Sequence, residues 1–464
     1  MRSKLFSHLC LAGALLLLPE PSSPSDTQLR EEARERRIAY LQRVRGGVTL
    51  LFNRRYHDLN EYVPDKNFYY LTGCSEPGAV LLMIPGEDGP RETLFLARRD
   101  PKQERWTGAR MAPGPGTARR LGMQEVLSLD ELPDTLAQRA PPKGKVYANL
   151  PPGPHREAAD ECCPEPWVRL RRWLPQAEVL DSGPELAFLR MKKSEWEIEK
   201  IRRAVEITIA GHRQALPAIG PGRFEYEVEA AIEYQFRSRG ATRPAFPSIV
   251  GSGPNSTILH YAENNRRMIS GDLVVIDVGA EFDGYSADLT RTYPVSGRFT
   301  PRQKEIYNIV LAAQEAALEQ VRPGVTFDRN GPIHRAAFET IDSRGRDRQG
   351  RRLGRYFIHG TGHHLGLEVH DPVSDRSRPL EAGMVITIEP GIYIPEENLG
   401  IRIEDDVLVT RDGYRILSRG LPRKAEEVER SMRESREEAA SRDTGGLARE
   451  QTAMKNQEAG GPSE

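Results

Sequence analysis

Cysteine is scarce in this chain, and charge of neither sign is in excess. Lysine and arginine together number 66 and the acidic residues 67, so the net charge is −1. This balance gives no electrostatic reason to expect nucleic acid or an acidic membrane surface as a partner. Four cysteines are present, with Cys10 in the first apolar segment and Cys162 adjacent to Cys163. The three cysteines after Cys10 lack the even, spaced pattern of a disulfide framework.

The start of the chain lacks a hydrophobic run long enough to span a membrane. Residues 5–18, which follow Arg2 and Lys4, form an apolar segment of about 14 residues. A transmembrane helix needs about 20, so we expect no stable membrane span. A basic start before a short apolar run indicates an export signal over residues 1–25, and hence a periplasmic or secreted protein. An uncleaved anchor and a non-native extension are the alternatives. The protein is cytoplasmic if this segment is not a functional signal.

Two aspartates are embedded in the predicted β-hairpin at residues 271–293. An apolar run leads into Asp277, a turn is indicated at Asp283-Gly284, and Asp288 lies on the returning strand. An even-length loop places Asp277 and Asp288 opposite or diagonal on one face. Two ionised carboxylates buried together are costly, so the pattern predicts a cation or a shared proton. The alternative is a hairpin with two solvated aspartates.

A second predicted hairpin, at residues 384–409, repeats this arrangement with Glu389 and Glu404. Their positions differ by an odd number, so an even-length loop again places both carboxylates on one face. The alternation along the second strand is typical of a half-buried strand whose polar side faces a site. The polar residues are Arg402, Glu404 and Asp406, and the apolar ones are Ile401, Ile403 and Val407.

Residues 359–371, with the sequence HGTGHHLGLEVHD, lie between the two hairpins. Gly360, Gly362 and Gly366 argue against a helix, so we predict a turn that presents one imidazole. A lone histidine is more often structural than a ligand. Four carboxylates with one imidazole, however, suit a pair of divalent metal ions held mostly by oxygen.

Residues 190–420 resemble the pita-bread metallopeptidases, and the motif at residues 359–371 resembles the aminopeptidase P and prolidase signature. The resemblance implies an α/β (α+β) fold of the creatinase/aminopeptidase type, in which a curved antiparallel sheet carries the ligands. It also implies two divalent ions; we expect manganese, with cobalt or zinc as alternatives. The family's five metal ligands correspond to Asp277, Asp288, His363, Glu389 and Glu404.

The ligand set and the resemblance together suggest how each residue acts. Asp288 and Glu404 would bridge the two ions, and Glu389 would take a proton from the attacking water and pass it to the leaving nitrogen. The ligands need hydrogen-bonded partners, and we expect Arg402, two residues from Glu404 and on the same face of the strand, to be one. The positions implied to be catalytic are Glu389, His260 and His370, and those implied to bind substrate are His260, His359, His370, Arg376 and Arg402. A structural histidine or a solvated arginine is the alternative at these positions.

Strand-like runs separated by glycine and proline between residues 46 and 150, with a helix near residues 130–139, predict a small α/β domain. The segments at residues 67–77 and 105–110 resemble the amino-terminal domain of aminopeptidase P. The resemblance implies that Trp106 reaches toward a neighbouring subunit, in a dimer or tetramer; an ordinary surface or core tryptophan is the alternative.

The predicted domain boundaries place the amino-terminal domain at residues 27–175 and the catalytic domain at residues 185–423. Capping-box spacings at Ser194 and Thr300 predict the starts of two helices of the catalytic domain. Residues 424–464 are polar and highly charged, and we expect disorder beyond about Ser441.

The resemblance implies a metal-dependent aminopeptidase that releases the first residue from peptides with proline in second position. Two other hypotheses remain open. The first is a prolidase of the same fold, which cleaves dipeptides. The second is a catalytically inactive binding module, although such relatives have typically lost ligand carboxylates.

Overall fold

The computed structural model describes residues 24–44, 46–55, 61–86, 89–149 and 166–458. The expected export signal, apart from its last residues, lies outside these ranges. Two compact units divide the chain, Met1–Leu180 and Asp181–Glu464. Across the described residues, no helix combines the length and the apolar character that crossing a membrane requires.

The first unit is built on a six-stranded mixed sheet with the strand order β4-β3-β2-β1-β5-β6. Leu50, Leu82 and Phe95 from three of its strands are buried against Leu136 of α5. The strands are β1 (Val48–Phe52), β2 (Val80–Ile84), β3 (Arg91–Leu96), β4 (Glu125–Ser128), β5 (Lys143–Ala148) and β6 (Gln176–Asp181). The helices are α1 (Pro24–Arg43), α2 (Lys66–Thr72), α3 (Pro101–Thr107), α4 (Pro115–Leu121), α5 (Leu132–Arg139) and α6 (Pro166–Trp173). The small α/β domain predicted from the strand pattern is therefore present.

Helices of the second unit enclose short antiparallel sheets. Both predicted capping boxes form, since the Ser194 hydroxyl accepts from the Glu197 amide and the Thr300 hydroxyl from the Gln303 amide. Each satisfies an amide that a helix start leaves without an intrahelical partner. The helices are α7 (Gly183–Met191), α8 (Glu195–Ala215), α9 (Glu225–Ser238), α10 (Pro301–Leu318), α11 (Pro332–Arg344) and α12 (Ala425–Glu458).

Four small sheets of the second unit have the strand orders β11-β10-β7, β12-β9-β8, β13-β16-β17 and β14-β15. One apolar core joins them to the helices, for example through Ile207 of α8, Val274 of β9, Ile306 of α10 and Ile386 of β13. The strands are β7 (Arg243–Pro244), β8 (Ile249–Ser252), β9 (Leu273–Val278), β10 (Ala280–Phe282), β11 (Tyr285–Ser286), β12 (Leu289–Pro294), β13 (Val385–Ile388), β14 (Gly391–Ile394), β15 (Leu399–Arg402), β16 (Asp405–Thr410) and β17 (Gly413–Ile416).

The aspartate hairpin has the predicted geometry. Asp283 and Gly284 form its two-residue loop with φ of +49° and +85°, as a type I′ turn requires. Asp277 pairs with Thr290. The same register carried one step further places Asp288 diagonal to Asp277, so both carboxylates lie on one face, as predicted.

The two strands of the glutamate hairpin pair in one register throughout, but the ladder of hydrogen bonds between them is interrupted. Ile388 pairs with Asp405 and Gly391 with Arg402, so Glu389 lies opposite Glu404 as the parity argument predicts. The strand predicted over residues 401–409 is nevertheless interrupted between β15 and β16. The ligand position itself is therefore at a break in the ladder.

The charged carboxy-terminal segment differs from the expectation of disorder beyond Ser441, because helix α12 continues to Glu458. Its beginning is anchored by Ala425, Val428 and Met432, which are buried in the core. These residues recur at helical spacing on one face. This stripe lies before Ser441, in the part of the segment where the sequence allows a helix.

Candidate metal centre

The two hairpins and the histidine motif bring their ionisable side chains to one place. Asp288, His363 and Glu404 each offer a ligand atom, and these atoms lie within 4.8 Å of one another. His363 Nε2 is 3.4 Å from Asp288 Oδ2 and 3.7 Å from Glu389 Oε1. Asp277 is close enough for its charge to act on Asp288, Glu389 and Glu404. The five positions predicted as ligands are thus neighbours.

Negative charge at this centre is poorly compensated by the protein. Burial, and then the charges of Asp277 and Asp406, raise the pKa of the Asp288 carboxyl well above its ordinary value. Burial, and then Asp288 and Glu389, do the same to the pKa of Glu404. Raised carboxyl pKa values mean that these groups ionise together only if a cation is bound between them.

Two carboxylate oxygens support the same conclusion. Asp277 Oδ1 and Asp288 Oδ1 are buried and have no hydrogen-bond partner within the part of the chain that the structure describes. Buried polar atoms of this kind are rare unless an ion or a water completes them. Carboxylate oxygens with one imidazole nitrogen fit divalent ions such as manganese, cobalt or zinc.

His363 is held with one ring nitrogen directed at the carboxylates. Its Nδ1 lies 3.2 Å from the carbonyl oxygen of His364, which can only accept, so Nδ1 carries the proton. Nε2 is then the basic nitrogen on the side of Asp288. The turn requires a glycine before it, because a Cβ at Gly362 would lie 1.9 Å from the carbonyl oxygen of Thr387.

Arg402 hydrogen-bonds one of the predicted ligands, as expected, and the ligand it contacts is Asp277. Its Nη2 donates to Asp277 Oδ2 at 2.6 Å, and its Nη1 donates to the Tyr393 hydroxyl at 2.8 Å. It reaches Glu404 only through Thr290, whose Oγ1 accepts from Arg402 Nε and donates to Glu404 Oε2 at 2.6 Å. Arg402 thus supports Asp277 on the adjacent hairpin directly and Glu404 through Thr290.

Three supporting residues were not singled out as site residues from the sequence. Asp406 Oδ2 accepts from the backbone amide of Asp288 at 3.1 Å, and Thr290 and Tyr393 connect Arg402 to Glu404 and His359. Asp406 was already visible on the polar side of its predicted strand. The pattern of an apolar strand gave no signal for Tyr393.

His359 and His370 lie beside this group of side chains. His359 Nε2 is 2.9 Å from the Tyr393 hydroxyl, and its Nδ1 is 3.7 Å from Glu389 Oε2. The His370 ring lies 4.1 Å from that of His363, between centroids. Burial, and then His363 and His260, lower the pKa of His370 to about 4, so this ring is neutral near pH 7.

His260 lies on the exposed side of the centre, whereas Arg376 lies on a nearby loop. His260 is exposed and lies close enough to His370 to affect its titration. Arg376 is also exposed, on the loop between His370 and β13. The structure therefore brings His260 to the centre and leaves Arg376 on the surface.

Asp371, at the end of the histidine motif, anchors this loop to the helices. The Arg190 Nη2 and Lys193 Nζ groups donate to its two oxygens at 2.7 and 3.1 Å, and all three side chains are buried. The Asp371 amide also donates to the His364 carbonyl oxygen at 2.9 Å. These contacts fix the loop between His363 and His370.

Comparison with known proteins agrees with this geometry. Residues 199–411 match the model of metallopeptidase family M24, and residues 33–147 match the aminopeptidase P, N-terminal domain. An Xaa-Pro aminopeptidase of Haemophilus influenzae is 37% identical over 434 residues, which cover 87% of this chain and 97% of the relative. The chain belongs to metallopeptidase family M24. A pita-bread second unit after a smaller α/β unit is thereby confirmed as its fold.

Two relatives from Escherichia coli extend this family assignment. Its Xaa-Pro aminopeptidase is 36% identical over 438 residues, covering 87% of this chain and 98% of the relative. The solved structure of E. coli aminopeptidase P with the inhibitor Pro-Leu has a TM-score of 0.77 at 34% identity, and the match covers 88% of this chain and 99% of that one. Membership of an M24 metallopeptidase family implies divalent metal ions at this centre.

Proposed function

We propose that the protein is an Xaa-Pro aminopeptidase, which hydrolyses the peptide bond before a proline in second position and releases the N-terminal residue. The observation that carries the proposal is the convergence of Asp288, His363 and Glu404, with Asp277 and Glu389 beside them. The relatives named Xaa-Pro aminopeptidase and the Pro-Leu inhibitor of the E. coli protein support proline as the second residue.

The proposed ligand roles use all five side chains, and the proximity of Asp288, His363 and Glu404 supports them. Asp288 and Glu404 would each serve both ions, Asp277 would complete one site, and His363 and Glu389 would complete the other. Two divalent ions held there would supply a hydroxide near neutral pH and polarise the scissile carbonyl. We propose manganese as the physiological metal; cobalt or zinc also fits the donor set.

We assign the proton transfer to Glu389. Its two oxygens lie 3.7 Å from His363 Nε2 and 3.7 Å from His359 Nδ1, and its amide is fixed by a 2.7 Å hydrogen bond to the Thr361 carbonyl oxygen. It would accept the proton of the attacking water and deliver it to the leaving amide nitrogen.

Neutral imidazoles would bind the substrate beside it. His370 is neutral near pH 7 and can donate one N–H to the scissile carbonyl oxygen, with His260 next to it on the exposed side. His359 and the Tyr393 hydroxyl would line the same pocket, with Arg402 behind them. The exposed Arg376 would bind the part of a longer peptide that follows the proline.

The test compares two substrates after the metal has been stripped and manganese added back. Hydrolysis of an Xaa-Pro-Yaa tripeptide supports the aminopeptidase, whereas hydrolysis of an Xaa-Pro dipeptide alone supports a prolidase. The match of the first unit to the aminopeptidase P amino-terminal domain favours the tripeptide. The absence of metal-dependent cleavage of either substrate would contradict both. Parallel refilling with cobalt and zinc tests the choice of metal.

We also propose a homo-oligomer, a dimer or tetramer, in which Trp106 contacts a second copy. Trp106 is 90% exposed, and a tryptophan left this open on one copy suits burial against another. Light scattering on the wild type and on Trp106→Ala tests this proposal, and a monomeric wild type would contradict it.

Export is proposed from the first 25 residues. Amino-terminal sequencing of the protein from periplasmic or secreted fractions would test both the location and the cleavage. A protein found only in the cytoplasm would contradict the proposal.

A further inference from the structure

The ladder of the glutamate hairpin is interrupted at its two proposed metal ligands. The last residue pair of β13 and β16 is Ile388 with Asp405, and the first pair of β14 and β15 is Gly391 with Arg402. One long main-chain hydrogen bond joins the two strands between these pairs, from Ile403 N to Pro390 O at 3.4 Å. The backbone amides of the two glutamates donate to residues outside the hairpin: Glu389 N to Thr361 O, and Glu404 N to Thr290 O. The ladder therefore does little to fix the distance between the two glutamates.

A side chain from helix α10 replaces the missing ladder bonds. Gln314 Nε2 lies 3.1 Å from Ile388 O and 3.2 Å from Ile403 O, the carbonyls directly before the two glutamates. It lies 2.9 Å from Asp405 Oδ2 as well. Since an amide nitrogen has two N–H groups, its donors are shared among three acceptors. One side chain therefore holds both strands at the break.

Gln314 is itself fixed on its other side. Its Oε1 accepts from Arg423 Nη1 at 3.2 Å, and the side chain is fully buried. Asp405, its third acceptor, is neutralised by Arg291 at 2.7 Å and also accepts from the Ser418 hydroxyl at 2.6 Å. A network held at both ends restricts where the amide can move.

We propose that Gln314 is a positioning residue that sets the separation of Glu389 and Glu404, and thereby the affinity of the centre for divalent metal. This inference rests on the proposed function, because it takes the two glutamates as ligands. Residues that orient metal ligands without touching the metal typically change the affinity about 10-fold to 100-fold when they are replaced.

The helix itself offers a matched control. Gln303, also on α10 and also buried, donates from Nε2 to the Gly271 carbonyl oxygen at 2.8 Å, and its Oε1 accepts from the Thr300 amide. Its partners lie outside the glutamate hairpin. Gln303→Met and Gln314→Met remove comparable amides at nearly constant volume, so both are expected to lower the melting temperature of the metal-free protein.

The experiment measures the affinity for manganese by calorimetry on the stripped full-length chain. Gln314→Met is expected to bind at least about 10-fold more weakly than wild type, while Gln303→Met binds like wild type. Gln314→Asn, which keeps the amide on a shorter side chain, should fall between them and serves if Gln314→Met does not fold. Equal affinities for wild type and both Gln314 variants would overturn the inference alone. A wild type that binds no divalent ion would overturn the proposed function and the inference with it.

Discussion

Two sets of buried carboxylates in the second unit differ in how their charge is balanced. Asp371 lies between Arg190 and Lys193, and despite its burial these cations hold its pKa below the ordinary value. Asp288 and Glu404 are equally buried among other carboxylates, and their pKa values are raised. The first arrangement is complete in itself, whereas the second requires a cation from solution.

The contrast separates a structural aspartate from ligand carboxylates within one region of the chain. Asp371 belongs to the same motif as His363, and by residue type alone it could be a ligand. The structure gives both of its oxygens to protein cations, so none is left for a metal. Asp288, by contrast, keeps a buried oxygen without a partner among the described residues.

The largest effect is expected from removing a carboxylate of the uncompensated set. Glu404→Ala deletes a proposed bridging ligand and should reduce kcat/KM by about 10³-fold or more, equivalent to at least about 4 kcal/mol of transition-state stabilisation. Steady-state hydrolysis of an Xaa-Pro-Yaa peptide measures it. Asp412→Ala, an exposed position in the turn after β16, is the control and should match wild type. Wild-type turnover by Glu404→Ala would refute the metal mechanism.

Asp371→Asn should instead act on stability. Asparagine carries no charge, so the buried Arg190 and Lys193 lose the carboxylate with which both pair. Removing one partner of a buried ion pair costs about 3–5 kcal/mol of unfolding free energy. Urea unfolding of the metal-free protein measures the loss. Asp375→Asn, at an exposed aspartate of the same loop, should change the free energy of unfolding by less than about 0.5 kcal/mol. Equal stability of the two variants would mean that Asp371 does not anchor the motif.

Metal should stabilise the protein more as pH rises. Carboxyls with a raised pKa hold protons in the folded state that the unfolded chain has released, so the metal-free protein loses stability as pH rises through those pKa values. Metal replaces the protons and removes this loss. The manganese concentration is the same at each pH, so the gain is about 2.7 kcal/mol where that concentration is 100 times Kd and smaller at lower pH, where competing protons raise Kd. Thermal unfolding at pH 5 and pH 8 checks the trend, and a larger metal-induced shift at pH 5 would contradict it.

The sequence predicts those parts of the centre that depend on local rules. The type I′ turn at Asp283 and the parity of positions place Asp277 with Asp288, and Glu389 with Glu404. The pairing of Arg402 with Asp277 was not predicted, because 125 positions separate them and only packing of the two hairpins brings them together. The contacts of Gln314 with two strands were missed for the same reason, since a glutamine on a helix carries no local signal.

The smallest effect is expected at acid pH, in the pH dependence of the stability that Asp371 contributes. A depressed carboxyl pKa contributes stability that is complete above the ordinary value of 3.8 and is lost as pH falls through the folded-state value. Asp371→Asn has no such group, so its unfolding free energy should fall less steeply below pH 4 than that of wild type. One proton limits the difference in slope to about 1.4 kcal/mol per pH unit. Parallel slopes for the two metal-free proteins would mean that the pKa of Asp371 is not depressed. The cations around Asp371 would then not balance its charge, and the proposed difference between this site and the metal centre would be wrong.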